Sequence, residues 1–210
     1  MKKLKNFSKY FILTVVSFIS VFPLYWMAVS ATNKSVDVIG GKLIPGVHLF
    51  DNWNTLLASQ NVGRAMMNSF KNSIALTVFA LLICSIAGYG FEIFHDKAKD
   101  RVMAILLLAM MVPFAATLIP LFQMFSKIGL LNSTIGFILP SISTPFLIML
   151  FRQSARSFPH DIIEAARIDG LNEFSIFIKV FIPTMRSTYA AAMTIVFMNA
   201  WNNYLWPKVI

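Results

Sequence analysis

The chain has 210 residues, 57% of them hydrophobic and 13% charged, with a mean hydropathy of +0.69. Soluble domains average about 45–50% apolar and about 25% charged residues, so this balance excludes an ordinary soluble globule and points to a bilayer as solvent. The formal net charge of +9 comes from 18 Lys and Arg against 9 Asp and Glu. These charges sit between apolar runs and form no patch, which favours membrane topology over nucleic-acid binding.

Lys2, Lys3, Lys5 and Lys9 precede the first apolar segment, Tyr10–Ala31. A cleaved signal peptide is the rival reading there, because Ala28-Val29-Ser30-Ala31 resembles a cleavage site. The stretch exceeds the usual apolar region of about 7–15 residues, and the bulky Pro23-Leu24-Tyr25-Trp26 lies close to that cut, so a retained membrane helix is expected. The following loop, about 32–72, carries the turn formers Gly40-Gly41, Pro45-Gly46 and Asp51-Asn52. Trp53, Leu56 and Leu57 after Asp51 have the spacing of a short amphipathic helix capped by that Asp.

Four more apolar segments follow: Ser73–Phe91, Val102–Phe125, Thr134–Phe151 and Ser187–Trp206. Each has the length a membrane helix needs, about 17–25 residues, and alternating barrel strands are absent from the pattern. The expected fold class is therefore all-α, a polytopic membrane helical bundle. Cys84 lies in the second segment as a lone cysteine, unable to form a disulfide within the chain. Pro113, Pro120, Pro140 and Pro145 interrupt the third and fourth segments and predict kinks, serving either a pathway or packing alone. Trp26, Trp201 and Trp206 near segment ends read as interfacial anchors.

With a cytoplasmic N-terminus, residues 1–9, twelve Lys and Arg fall on the inner side and six on the outer. Positive charge concentrates on the inner side of membrane proteins, so this orientation is expected, and the loop 152–186 is then cytoplasmic. No Asp, Glu, Lys, Arg or His lies within any of the five segments, although Glu92 borders the second. Carriers driven by protons or sodium need such groups, so the energy for uphill transport is expected to come from elsewhere.

The loop 152–186 is the most informative stretch. Pro159 suits a first helical turn, and Asp161 complements the positive end of the helix dipole. Ile162, Ala165 and Ala166 form a small apolar stripe, Gly170 suits a left-handed helix end, and Asn172 suits the cap of a second helix. Two short helices meeting at Asp169-Gly170 are predicted. Composition alone leaves a docking plug and an ordinary connector equally open.

Glu164-Ala165-Ala166, then Asp169-Gly170, then Ile182-Pro183 resembles the EAA loop of binding-protein-dependent ABC importer permeases. Phe22-Pro23-Leu24-Tyr25-Trp26, Asn72-Ser73, Ile119-Pro120-Leu121-Phe122, Leu130-Leu131-Asn132-Ser133 and Trp201-Asn202-Asn203-Tyr204-Leu205-Trp206-Pro207 extend the likeness along the chain and resemble the carbohydrate-uptake branch, within which the short N-terminus resembles the maltose-type G subunit. The resemblance implies a permease transmembrane domain over 10–206 with its core at about 68–210. It implies five membrane helices of an expected six, with the final span and tail absent from this chain.

It further implies a bacterial cytoplasmic-membrane subunit of an ATP-driven sugar importer, in which Glu164, Ala165, Ala166, Asp169 and Gly170 dock a cytoplasmic ATPase subunit. The implied partners are an ATPase dimer, a second homologous permease, an external solute-binding protein, the sugar and membrane lipid, but no nucleic acid. ATP would be bound by the partner, leaving this chain without a cofactor, a metal or catalytic residues. The proline often found shortly after Pro183 in that family is replaced by Met185-Arg186-Ser187, which leaves the entry angle of the fifth segment open. Two alternatives remain: a permease of the same kind for a polyamine, phosphate or amino acid, and a docking subunit that carries nothing. An enzyme is disfavoured, since no phosphate-binding glycine loop occurs and His48, His95 and His160 are scattered.

Overall fold

The computed structural model describes the backbone of residues 2–210 and the side chains from Asn6 onward. Met1 and the side chains of Lys2, Lys3 and Lys5, which enter the charge count above, lie outside the described residues. The described elements are all helical, and the chain divides into two compact units, 1–65 and 66–210.

In the first unit, α1 (Lys2–Ala31) runs through Pro23 and exposes apolar side chains around its girth, among them Phe11, Phe18, Ile19 and Leu24. A helix apolar on all sides is suited to lipid. Asn33 is buried and ties down the hook after α1, its Nδ2 donating to the carbonyls of Val29 and Ile44 at 2.9 Å each. Two short helices follow, α2 (Ser35–Ile39) and α3 (Leu49–Ser59). The expected amphipathic helix is present, but it starts at Leu49, so Asp51 lies in its first turn instead of capping it. Asp51 pairs there with His48 Nδ1 at 3.2 Å, and its charge still suits the helix N-terminus.

α4 (Val62–Ile93) is unbroken and longer than the predicted 73–91. In the second unit its buried face is Ser73, Leu76, Thr77, Ala80, Leu81, Cys84, Ser85, Gly88 and Tyr89, spaced three and four apart and mostly small. Small residues let membrane helices approach closely, since lipid supplies no hydrophobic drive for helices to associate. Gly88 marks the closest approach: a Cβ there would lie 2.6 Å from Phe151 Cβ and 2.7 Å from the Arg152 amide nitrogen.

The third and fourth segments are not straight. α5 (Lys97–Ala109), capped by Asp96 accepting from the Lys99 amide at 2.8 Å, and α6 (Phe114–Lys127) meet at 97°. α7 (Thr134–Ile138), continued by a tight turn to Ser141, meets α8 (Pro145–Arg156) at 57°. Both breaks immediately precede a helix at a proline. Thr144 takes an extended ψ of 133° before Pro145, because proline drives its predecessor out of the helical region, and Pro113 itself takes an extended ψ of 133° as the cap of α6. Pro120, by contrast, is carried inside α6.

The fifth segment is also shorter than expected. α12 (Arg186–Trp201) stops at Asn202, and a separate helix, α13, spans Leu205–Val209. Trp206 is therefore no interfacial anchor. It is 1% exposed, its Nε1 donates to Gly136 O at 3.1 Å, and its ring lies edge-on to Phe125. A buried indole needs a partner for its N–H, and the Gly136 carbonyl provides it. Counting each bent pair as one crossing, the described helices offer five segments long and apolar enough to span a membrane.

Candidate functional site

After α8 the chain forms α9 (His160–Ile168), preceded by Pro159 with Asp161 in its first turn. Gly170 adopts φ = 81°, the left-handed conformation that costs a side-chain-bearing residue most. Its amide donates to Arg167 O and that of Leu171 to Ala166 O, both at 3.0 Å, closing the helix end. Asn172 then caps α10 (Glu173–Ile176), its Oδ1 accepting from the Ser175 amide at 2.8 Å. The predicted pair of helices meeting at Asp169-Gly170 is thus present.

Residues 177–181 widen into one π-helical turn before α11 (Ile182–Thr184). Pro183 explains the widening, since it has no N–H for the Lys179 carbonyl and its ring crowds that carbonyl. Met185 then carries the chain through an 81° bend into α12.

α9 sits on its own small core. Ile163 and Ala166 pack with Tyr89, Ala155, Phe158, Ile176, Phe177 and Phe181, a cluster separate from the one inside the membrane bundle. Tyr89 is edge-on to Phe177 and Phe181, with ring centres 5.3 and 4.9 Å away. The expected stripe of Ile162, Ala165 and Ala166 is therefore split. Ala166 is 6% exposed and faces inward, whereas Ile162 and Ala165 face outward. Glu164, Asp169 and Gly170 also lie on the exposed side. Of the five predicted site residues, four share an open surface and Ala166 supports it from beneath.

Among the described residues, Glu164 and Asp169 enter none of the ion pairs. Ile168, at 86% exposure, adds an uncovered apolar side chain to the same surface. The result is a rigid knob with two uncommitted carboxylates, a small residue permitting close approach and a fixed bend. Such a surface fits a cleft with basic walls and an apolar floor.

Three further residues hold the knob, and sequence reasoning singled out none of them for it. Arg167 Nε donates to Glu173 Oε1 at 2.7 Å, and Tyr89 OH donates to Glu173 Oε2 at 3.3 Å. The hydrogen bond to the Glu173 carboxylate holds the Arg167 guanidinium above its ordinary pKa, so its charge is constant at any working pH. Tyr89 lies 84 positions from Glu173, and no local spacing signals that contact. Nearby, Arg152 joins three helices, donating from Nε to Glu92 at 3.0 Å and from Nη2 to Asp100 at 2.6 Å.

The breaks in the spans also gather polar groups. Ser141, Thr144, Asn199 and Asn203 line a cavity of about 170 Å³ floored by Leu76 and Leu147. Asn202, Asn203 and Tyr204 share an open depression with Phe114 and Ser141. Interrupted helices are tolerated at membrane depth where they face protein or a water-filled cavity, so this junction of three broken segments is where a polar route is physically affordable.

Residues 93–210, more than half of the chain, match the family described as the binding-protein-dependent transport system inner membrane component. The lactose transport system permease protein LacG of Rhizobium radiobacter is 44% identical over 209 residues, covering 100% of this chain and 77% of that protein. The arabinooligosaccharides transport system permease protein AraQ of Halalkalibacterium halodurans is 34% identical, covering 93% of this chain and 72% of that protein. A solved bacterial ABC transporter involved in the import of the acidic polysaccharide alginate shares the fold. Its TM-score is 0.79 at 22% identity, covering 97% of this chain and 73% of that one.

Proposed function

Because the chain belongs to the family of binding-protein-dependent transport system inner membrane components, we propose that it is the permease subunit of an ATP-driven sugar importer, with short oligosaccharides as its cargo. The observation that carries the sugar reading is the 44% identity to the lactose permease, which extends over the whole of this chain. Likeness confined to the docking loop would not speak to cargo, whereas likeness through every span includes whatever lines the route.

In this reading the N-terminus is cytoplasmic, and the knob at 160–170 seats in a cleft of a cytoplasmic ATPase subunit. Glu164 and Asp169 meet basic side chains there, Ala165 permits close approach, and Gly170 sets the bend. Ala166 acts from within, holding α9 on its own core. ATP is bound and split by that partner. An external binding protein delivers the sugar, and a second permease completes the route past Asn199, Asn202, Asn203 and Tyr204. Closure of the ATPase dimer reaches the spans as rigid-body motion of the docked helix.

The test uses this chain assembled with its partner permease, ATPase and binding protein in proteoliposomes. Glu164→Ala and Gly170→Pro are expected to assemble yet lose binding-protein-stimulated ATP hydrolysis. Proline is fixed near φ = −65° and cannot adopt the positive φ found at Gly170. Labelled lactose and arabino-oligosaccharides should accumulate in vesicles of the native complex. Unchanged stimulation in both variants would refute the docking role, and failure to import any sugar would refute the cargo.

A further inference from the structure

The chain path from the docking knob to the last span is indirect. It leaves the knob at Gly170 and changes course at the widened turn of 177–181 and at the 81° bend at Met185. A second connection bypasses all three. The two oxygens of the Glu173 carboxylate bind different elements: Oε1 accepts from Arg167, at the end of α9, and Oε2 accepts from Tyr89, on α4. Tyr89 is 5% exposed and its ring is gripped by Phe177 and Phe181. One carboxylate thereby joins α9, α10 and the long α4.

Stability does not account for this arrangement. The Arg167 and Glu173 side chains are 42% and 40% exposed, and ion pairs so open to water contribute little to folding. Their geometry, however, fixes the position of α9 relative to α4 in a direction that the apolar core beneath does not. Apolar contacts resist separation but slide easily, whereas charge-assisted hydrogen bonds have a preferred direction and distance.

We propose that Tyr89 is a positioning residue of the transport cycle: through Glu173 it locks the 160–168 helix to α4, so that displacement of the knob is delivered directly to that span. The inference rests on the docking role given above to residues 160–170. It concerns the step after docking, in which movement of the loop becomes movement of the membrane helices.

The readout is sugar imported per ATP hydrolysed by the assembled complex in proteoliposomes, with co-purification of the ATPase subunit recorded alongside. Tyr89→Phe keeps the ring between Phe177 and Phe181 and removes only the hydroxyl. The ATPase subunit should still co-purify, and import per ATP should fall about threefold or more, the scale expected on losing one ordinary hydrogen bond. Glu173→Gln keeps a carbonyl for Tyr89 but releases Arg167; it should lower the same ratio, and it decides the matter if Tyr89→Phe does not assemble.

The double variant should be no worse than the poorer single one, because the Arg167–Glu173 and Glu173–Tyr89 bonds are links in series and breaking either one opens the lock. A normal ratio in an assembled Tyr89→Phe complex overturns the proposal. Glu164→Ala separates the two ideas. If it abolishes stimulated hydrolysis while Tyr89→Phe imports normally, docking stands and the lock falls; if it and Gly170→Pro both leave stimulation intact, docking fails and the lock falls with it.

Discussion

A Cβ added at Gly88 would meet Phe151 Cβ at 2.6 Å, the Arg152 amide nitrogen at 2.7 Å and the Ile148 carbonyl oxygen at 2.8 Å. Two of these are backbone atoms of α8, which cannot turn aside, so the helices must part. Gly88→Ala is expected to lower the apparent unfolding midpoint in detergent, at a cost of about 1–3 kcal/mol typical of overpacking. Gly90→Ala is the control, since nothing lies within 4 Å of its added methyl. An equal midpoint for both would refute the close approach. Gly88 was not legible in the sequence, because the atoms that make it necessary lie some 60 positions away on another helix. Gly170 and Asn172 were legible, since a helix end is a local problem that those two residue types solve with their own backbone and side chain. Trp206 misled for a related reason: an indole near the end of an apolar run suits a membrane surface or an interior carbonyl, and only the fold supplies Gly136.

At the scale of elements, Arg152 of α8 binds Glu92 of α4 and Asp100 of α5. Arg152 and Glu92 are 16% and 13% exposed, so removing one partner leaves the other with less water than a surface charge has. Arg152→Met should lower the unfolding midpoint, by less than the about 3–5 kcal/mol lost when a fully buried pair is broken. Adding Glu92→Gln in the same chain should recover part of that loss. A double variant as unstable as Arg152→Met alone would show that Glu92 is not the stranded charge. The prolines announced interruptions in the third and fourth segments, yet only the structure gives the bends, because a proline breaks a helix locally while packing chooses the new direction. The end of the fifth span at Asn202 carried no proline to announce it. The entry into that span, left open where the family's usual proline is missing, is set by the bend at Met185.

For the whole molecule, the distribution of Lys and Arg predicts which ends of the spans face the cytoplasm. Cys84 is the only cysteine and is buried, so its replacement by Ser gives a background for single introduced thiols. In intact cells, a membrane-impermeant maleimide should label a Cys at Lys42, and should label one at Lys99 only after the cells are opened. The reverse pattern would invert the assigned orientation. Membrane class and the helix pair meeting at Asp169-Gly170 were the parts written most openly in the chain, because bilayer solvation and helix capping both act on runs of neighbouring residues. The arrangement of the broken spans around Asn199 and Asn203 was not, because it is a meeting of three distant stretches.

The apolar cluster under α9 shares no residue with the cluster inside the bundle. Substitutions on the exposed face of α9 therefore need not disturb the packing of the bundle, and changes inside the bundle need not alter that face. Under the proposed function, choice of motor and choice of cargo can then drift independently within one gene.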